Sequence, residues 1–360
     1  MSTDTAPGRP GAGPRARAVP ILSAESVEVA FTAGFAPGGG RGTARAVDGV
    51  HLDVAPGEIV ALVGESGCGK TTLARTLLGL ERPTRGRILF EGAPLRYRSR
   101  DLRSYRHRVQ FVQQDPMGSL NPRRTVYESV VEGLRIHEGT AVDELERVER
   151  ALSRAGLRPP ERFLSRYPHE LSGGQRQRVV IAGALVLDPE VLVADEPVAS
   201  LDASVRGEIL RLLLRLRDGL GLSALVATHD LGLAWNIADR VAVMYLGRVV
   251  ELGTVEEVLS APAHPYTRAL LSVLPDSGLG EGPVLLSGEP PDPKQVPSGC
   301  RFHPRCPVLA SGEAERAGVA DRCVGVDPAI LGGGAGHRVA CHWAAADESG
   351  RVDEEAASNR

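Results

Sequence analysis

Residues 64–71 are the part of this sequence best suited to chemistry, a glycine-rich loop of the form G-x-x-x-x-G-K-T. The mainly apolar run 58–63 before it predicts a buried strand, and residues 72–78 after it predict a helix. In that setting the loop's backbone N–H groups converge on phosphates, Lys70 reaches the β and γ phosphates, and the Thr71 hydroxyl ligates Mg²⁺. The alternative is a glycine-rich turn without a ligand.

Lysine usage favours the phosphate site. The chain has two lysines, and Lys70 is one of them. Its other basic side chains are almost all arginines, whose planar guanidinium is poorly shaped to act as a compact point charge beside a triphosphate. We therefore expect nucleotide contacts from the whole loop and the residue after it: Gly64, Glu65, Ser66, Gly67, Cys68, Gly69, Lys70, Thr71 and Thr72.

Two adjacent carboxylates follow a second buried run. The apolar residues 191–194 predict a strand that ends in Asp195 and Glu196. Because neighbouring residues on a strand point to opposite faces, Asp195 can hold Mg²⁺ largely through its water shell while Glu196 orients and deprotonates an attacking water. A solvated acidic turn is the alternative, and the apolar run before the pair disfavours it.

The order of the motifs resembles that of ABC-type ATPases. After the phosphate loop come a glutamine segment at 111–116, the sequence L-S-G-G-Q at 171–175, the acidic pair, the sequence A-S-L-D at 199–202 and a histidine at 229. The resemblance makes Gln114 the Q-loop glutamine, with Gln113 the less favoured register. It also makes His229 the switch histidine.

The resemblance assigns roles to these residues. Phosphoryl transfer depends mainly on positioning and on neutralising charge. The implied catalytic residues are Glu196, His229, Gln114 and Lys70. The implied Mg²⁺ ligands are Thr71, Gln114 and Asp195.

The resemblance also implies a shared site. Ser172, Gly173, Gly174 and Gln175 would lie at a helix N-terminus and cover the ATP held by an opposite subunit, with Asp202 nearby. One chain then carries two half-sites and must pair head to tail with another copy or with a related subunit. Phe31 lies where the family places an aromatic ring that stacks on adenine, although a core phenylalanine is the alternative there.

The implied fold is α/β, a P-loop NTPase domain of the ABC type with a RecA-like core, an antiparallel β subdomain and a helical subdomain. We place a disordered N-terminal tail at 1–21, the nucleotide-binding domain at 22–265 with its helical subdomain at about 116–172, a C-terminal extension at 266–345 and a disordered tail at 346–360. The N-terminal tail lacks the apolar core of a signal peptide.

Composition excludes some partners. A net charge of -3 and a pI near 6.3 give no general attraction to a polyanion, so nucleic acid is not an expected partner. The longest apolar stretch, 179–187, is about half of the roughly 20 residues that a transmembrane helix needs. We expect a peripheral protein on the cytoplasmic face of the membrane.

The C-terminal extension resembles that of ATPases in dipeptide and oligopeptide importers. The resemblance is carried by residues 264–271 and 299–307, and by the sequence S-L-N-P-R at 119–123. It implies two membrane permeases and an extracytoplasmic substrate-binding protein as partners. Uptake of nickel, glutathione or another small solute, export, and an ABC ATPase without a transport role are the alternatives.

Four cysteines in this extension suggest a metal group. Disulfides are improbable in a cytosolic ATPase, and the spacing C-x5-C-x16-C-x17-C lacks the short knuckles of structural zinc sites. Four thiolates suit a [4Fe-4S] cluster, which the resemblance also implies. Zn²⁺ or unligated cysteines are the alternatives, and His303 and His342 are possible substitute ligands. The predicted ligands are Cys300, Cys306, Cys323 and Cys341.

Overall fold

The computed structural model describes residues 19–35, 41–140, 142–199, 201–274, 282–332 and 336–346. The predicted tails fall almost entirely outside these ranges. Ile21, which we assigned to the N-terminal tail, is buried, and its N–H donates to the Val54 carbonyl. That end of the predicted tail is therefore part of the folded domain.

The described strands form two sheets. In chain order they are β1 (Leu22–Phe35), β2 (Arg41–Val54), β3 (Ile59–Val63), β4 (Arg85–Phe90), β5 (Ala93–Pro94), β6 (Val109–Val112), β7 (Val191–Asp195), β8 (Ser223–Thr228), β9 (Arg240–Tyr245), β10 (Arg248–Thr254) and β11 (Arg338–Val339). The smaller sheet is antiparallel with the order β2-β1-β4-β5, and the larger has the order β11-β10-β9-β3-β8-β7-β6. In the smaller sheet, β1 continues to Phe35 and β2 begins at Arg41.

The larger sheet has a parallel centre. Strands β9, β3, β8, β7 and β6 pair in parallel, and β10 and β11 add antiparallel strands at one edge. Every residue of β3, β7 and β8 is buried, as expected for parallel strands covered by helices on both faces. The carboxyl ends of these strands meet at one edge, which is where α/β proteins place their ligands.

Helices cover the sheets. They are α1 (Lys70–Leu77), α2 (Ser99–Arg108), α3 (Pro116–Ser119), α4 (Val126–His137), α5 (Glu144–Arg154), α6 (Gly173–Leu185), α7 (Ala203–Leu220), α8 (Leu231–Ile237), α9 (Val255–Ser260), α10 (Pro265–Ser272), α11 (Pro307–Ala310), α12 (Glu313–Arg316) and α13 (Ala320–Gly325). Helices α4 to α7 share one apolar core with the inner strands. The α/β class with parallel and antiparallel sheets is confirmed.

The sequence explains why α4 and α5 form. Thr125 and Glu128 form a reciprocal capping box that starts α4. On α5, Val148 and Leu152 lie one turn apart and are buried, whereas Leu145 is half exposed. Among the described residues, no helix has the length and apolarity to cross a membrane.

Candidate active site

The phosphate loop joins β3 to α1, and two of its glycines are required by space. A Cβ on Gly64 would lie 2.2 Å from the Met244 carbonyl oxygen, and one on Gly69 would lie 2.1 Å from the Ala46 carbonyl oxygen. Both glycines also have positive φ, 153° and 109°. The chain therefore passes tightly between β9 and β2 before it enters α1.

Lys70 is buried and folds back over its own loop. Its Nζ donates to the carbonyl oxygens of Gly64, at 2.6 Å, and Glu65, at 3.0 Å. The ammonium is thus hydrogen-bonded to the loop's first two peptides. Phosphate oxygens arriving at the N-terminus of α1 would compete with these carbonyls for it.

Asp195 ends β7 beside Thr71, whose hydroxyl hydrogen-bonds to it. Burial raises the pKa of Asp195 above its ordinary value, and the nearby charge of Glu196 adds to this, while Thr71, Lys70 and Arg75 oppose it. A buried carboxylate that is costly to ionise alone, next to a hydroxyl oxygen, fits a hard divalent cation such as Mg²⁺.

Glu196 lies one residue beyond β7 in a left-handed conformation, with φ 48°. The expectation that Asp195 and Glu196 point to opposite faces of one strand was therefore wrong, because β7 ends at Asp195 and Glu196 lies in the turn that follows. Its Oε1 lies 2.8 Å from His229 Nδ1, its Oε2 accepts from the Thr228 hydroxyl at 3.3 Å, and its N–H donates to the Ala227 carbonyl. A non-glycine residue held in this region by three partners is typical of a functional position.

The sheet order brings the predicted residues of four strands to one edge. The phosphate loop follows β3, His229 follows β8, Asp195 ends β7, and Gln114 lies shortly after β6. Gln113 and Gln114 are both exposed, and the Ser119 hydroxyl donates to Gln113 at 3.2 Å. The roles assigned to these side chains remain predictions.

The L-S-G-G-Q segment starts α6, as the motif predicts. The Gln175 N–H donates to the Ser172 hydroxyl at 3.3 Å, and the Ser172 N–H donates to the Gln175 side chain at 3.0 Å. A Cβ on Gly174 would lie 2.5 Å from a methyl carbon of Val205, so close packing on α7 excludes a larger residue. Ser172 is exposed at this helix N-terminus, where an anion is stabilised.

Two further candidates lie on exposed surface. Phe31 is 43% exposed on β1, opposite Ala44 of β2, so it is not the core phenylalanine that was the alternative to adenine stacking. Asp202 immediately precedes α7 and is also exposed.

The C-terminal extension reaches the phosphate loop, which the sequence did not predict. The Arg305 guanidinium donates to both carboxylate oxygens of Glu65, at 2.9 and 3.3 Å, and the Glu65 N–H donates to the Tyr266 hydroxyl at 2.9 Å. The side chain and N–H of Glu65 are thus engaged by the extension instead of facing a phosphate. Arg305 and Tyr266 lie 240 and 201 positions after Glu65 in the chain, so no local sequence pattern could have revealed these contacts.

A second arginine anchors the extension. Arg301 pairs with buried Asp48 and donates to the Leu246 carbonyl. Burial opposes the charged form of Asp48, but Arg301, Arg248 and Arg45 outweigh it and lower the pKa of Asp48 below its ordinary value. The extension is thereby fixed to β2 and to the turn after β9.

The four extension cysteines line one pocket, together with His303 and His342. All five cysteines of the chain are free. Burial raises the pKa of the Cys300 thiol to about 12 and that of Cys341 to about 11, so these thiols are protonated at neutral pH. Within the described ranges no group of three or more His, Cys, Asp or Glu side chains is placed to hold a single metal ion. The cluster therefore remains a prediction.

Comparisons with known proteins identify the family of this chain. The ABC transporter family matches residues 47–199, and the oligopeptide/dipeptide transporter C-terminal region matches residues 250–311. A putative peptide import ATP-binding protein of Brucella ovis is 45% identical over 303 residues, covering 83% of this chain and 92% of the relative. The chain belongs to the ABC transporter family. It is an ABC ATPase.

Other relatives extend the likeness. The oligopeptide transport ATP-binding protein OppF of Escherichia coli is 44% identical over 300 residues, covering 79% of this chain and 89% of OppF. Among solved structures, cbiO1 of Clostridium perfringens, part of the ABC transporter complex cbiONQ, is 34% identical with a TM-score of 0.59 and covers 68% of this chain and 92% of cbiO1. A dimeric ATP-binding cassette bound to ADP and phosphate is 29% identical with a TM-score of 0.58, and the match covers 65% of this chain and 99% of the cassette.

Proposed function

We propose that this ABC ATPase energises the uptake of dipeptides or oligopeptides through partner permeases. The observation that carries the proposal is the extension. Residues 250–311 match the oligopeptide/dipeptide transporter C-terminal region, and Arg305 in this region pairs with Glu65 of the phosphate loop. Relatives named as a peptide import and an oligopeptide transport ATP-binding protein match 83% and 79% of this chain.

The position of Glu196 just after β7, beside His229 and Thr228, supports a role as the base in hydrolysis. A water opposite the leaving β-phosphate oxygen gives a proton to this carboxylate and attacks the γ phosphorus. The bond between the γ phosphorus and the β-phosphate oxygen then breaks. His229 and Thr228 hold the carboxylate oxygens in place. Mg²⁺, held by Thr71 and Asp195 with Gln114 nearby, would neutralise charge on the phosphates.

A complete site requires a second ATPase, identical or related. Ser172 to Gln175 form the start of α6, which packs in the core shared by α4 to α7. The phosphate loop and α1 pack in a different core, so the two halves of the site are separate within one chain. Head-to-tail pairing would lay each serine-glycine turn over the partner's γ phosphate. Closure of the pair would turn the permeases at the cytoplasmic membrane face, through a permease helix held near Gln114. A binding protein outside the cell, and not this chain, would select the peptide.

An uptake experiment tests the substrate. A host strain deleted for this chain should lose uptake of a labelled tripeptide and keep uptake of ⁶³Ni²⁺ and labelled glutathione. The parent gene should restore tripeptide uptake, and Glu196→Gln should not, because that variant lacks the base for hydrolysis. Loss of nickel or glutathione uptake with intact peptide uptake would contradict the proposal.

The cysteine pocket would hold a [4Fe-4S] cluster. Four thiols from separate parts of the extension line one pocket whose walls are largely apolar, and the Cys300 N–H donates to the Cys323 carbonyl at 2.9 Å. Cys300, Cys306, Cys323 and Cys341 would be the four thiolate ligands of such a cluster. Zn²⁺ is the alternative, since four thiolates also form structural zinc sites.

Anaerobic purification tests the cluster. We expect brown protein with about four irons and four sulfides per chain. Cys306→Ser should lose most of this iron, whereas Cys68→Ser should retain it, because Cys68 lies in the phosphate loop and does not line the cysteine pocket. Colourless protein, with zinc or without metal, would exclude the cluster.

A further inference from the structure

Glu65, in the first turn of the phosphate loop, is hydrogen-bonded to residues of the C-terminal extension. All three polar parts of Glu65 are engaged. Its carboxylate accepts from Arg305, its N–H donates to the Tyr266 hydroxyl, and its carbonyl accepts from Lys70 and from the Cys68 N–H. Two of these partners belong to the segment after residue 264, and a third is the lysine that binds phosphate.

The contacts from the extension are buried and well supported. The Arg305 side chain is 7% exposed and that of Glu65 is 25% exposed, so solvent screens this bidentate pair little. Tyr266 is fully buried, with its ring centroid 4.7 Å from that of Tyr245 and 5.3 Å from that of Phe302. Aromatic packing therefore fixes the hydroxyl that the loop uses.

From these contacts we propose that Arg305 and Tyr266 are positioning residues of the ATP site. They hold the peptide of Glu65, whose carbonyl oxygen contacts Lys70, in one fixed geometry. A loop without this support would sample other conformations, and ordering it would then oppose nucleotide binding. The extension thus sets ATP affinity, while the step at Glu196 is left unchanged.

The position of Arg305 in the chain connects this support to the cysteine pocket. Arg305 ends the short 3₁₀ helix His303–Arg305, which lies between Cys300 and Cys306. The His303 N–H donates to the Cys300 carbonyl at 2.9 Å, and the Cys306 N–H donates to the His303 carbonyl at 3.3 Å. The turn that carries the guanidinium is therefore bounded on both sides by cysteines that line the pocket.

Arg305→Met and Tyr266→Phe test the proposal in the full-length chain. Methionine keeps length without charge, and phenylalanine removes one oxygen from a packed ring. We expect the dissociation constant for Mg-ATP to rise about tenfold in Arg305→Met and about threefold in Tyr266→Phe. With the partner subunit present, KM for ATP should rise similarly, and kcat at saturating ATP should stay within about twofold.

Controls separate positioning from stability. Arg316→Met makes the same change at an exposed arginine of α12 and should leave ATP affinity as in the parent. Glu65→Gln combined with Arg305→Met should bind ATP no more weakly than Arg305→Met alone, because both changes break one interaction. Each folded fraction is checked by thermal unfolding without nucleotide.

Two results would overturn the proposal. One is parental ATP affinity in both variants. The other is a lower melting temperature without any change in ATP affinity of the folded protein, which indicates a role in stability alone. Should Arg305→Met fail to fold, Tyr266→Phe still decides the question, since it removes only the hydroxyl.

Discussion

Replacing Glu196 by glutamine is expected to reduce ATP hydrolysis about 100- to 10,000-fold while ATP binding persists. The amide keeps the size of the side chain, and its oxygen can still accept from Thr228 and His229. It has no useful affinity for a proton at neutral pH, so it cannot take one from the attacking water. The loss should therefore appear in kcat, with little change in the affinity for ATP.

The same variant should accumulate a closed pair of subunits. If hydrolysis normally reopens the dimer, Mg-ATP should shift Glu196→Gln to dimer in light scattering with the partner subunit supplied, whereas ADP should not. Glu146→Gln makes the same chemical change at an exposed position of α5 and should hydrolyse ATP like the parent. Parental turnover in Glu196→Gln would remove this residue from its assigned role.

Replacing Lys70 by alanine is expected to weaken ATP binding about 10- to 100-fold, because charge-assisted hydrogen bonds to the phosphates are lost. The change also leaves the carbonyls of Gly64 and Glu65 without the donor that now satisfies them. Both effects act on the loop before any chemistry. Equilibrium titration with a fluorescent ATP analogue measures this affinity directly.

The chain supplies its own control for this variant. Its other lysine, Lys294, is exposed in the linker between the ATPase domain and the cysteines, and Lys294→Ala should bind ATP like the parent. Lys70→Arg keeps the charge but offers a broad planar group to a narrow cradle, so it should recover only part of the loss. ATP binding by Lys70→Ala with parental affinity would contradict the assigned phosphate contact.

The fold and the placement of the main motifs could be predicted from sequence because their signals are local. A buried apolar run, a glycine turn and a helix start each depend on neighbouring residues, and parallel pairing then brings the strand ends together. The Glu196 turn was missed because no residue type marks it. A left-handed backbone is usually signalled by glycine or asparagine, and here tertiary contacts impose it on a glutamate.

The support of the phosphate loop could not be predicted for a different reason. Arg305 and Tyr266 belong to a segment whose sequence indicates only a likeness to peptide importers. Their contact with Glu65 depends on how β9, β10 and α10 fold back beside the loop. The four cysteines of the extension line one pocket, and their role as ligands stays a prediction because spacing in the sequence does not give the distances between the sulfur atoms.

The short strand β11 has a consequence for solubility. It pairs Val339 with Glu251 and Arg338 with Leu252, and the Ala340 N–H then donates to the Val250 carbonyl. These bonds cover the outer side of β10, whose apolar residues would otherwise offer open hydrogen-bonding groups to any passing strand. The segment between Cys323 and Cys341 thus protects this edge of the ATPase from pairing with the strands of its own copies.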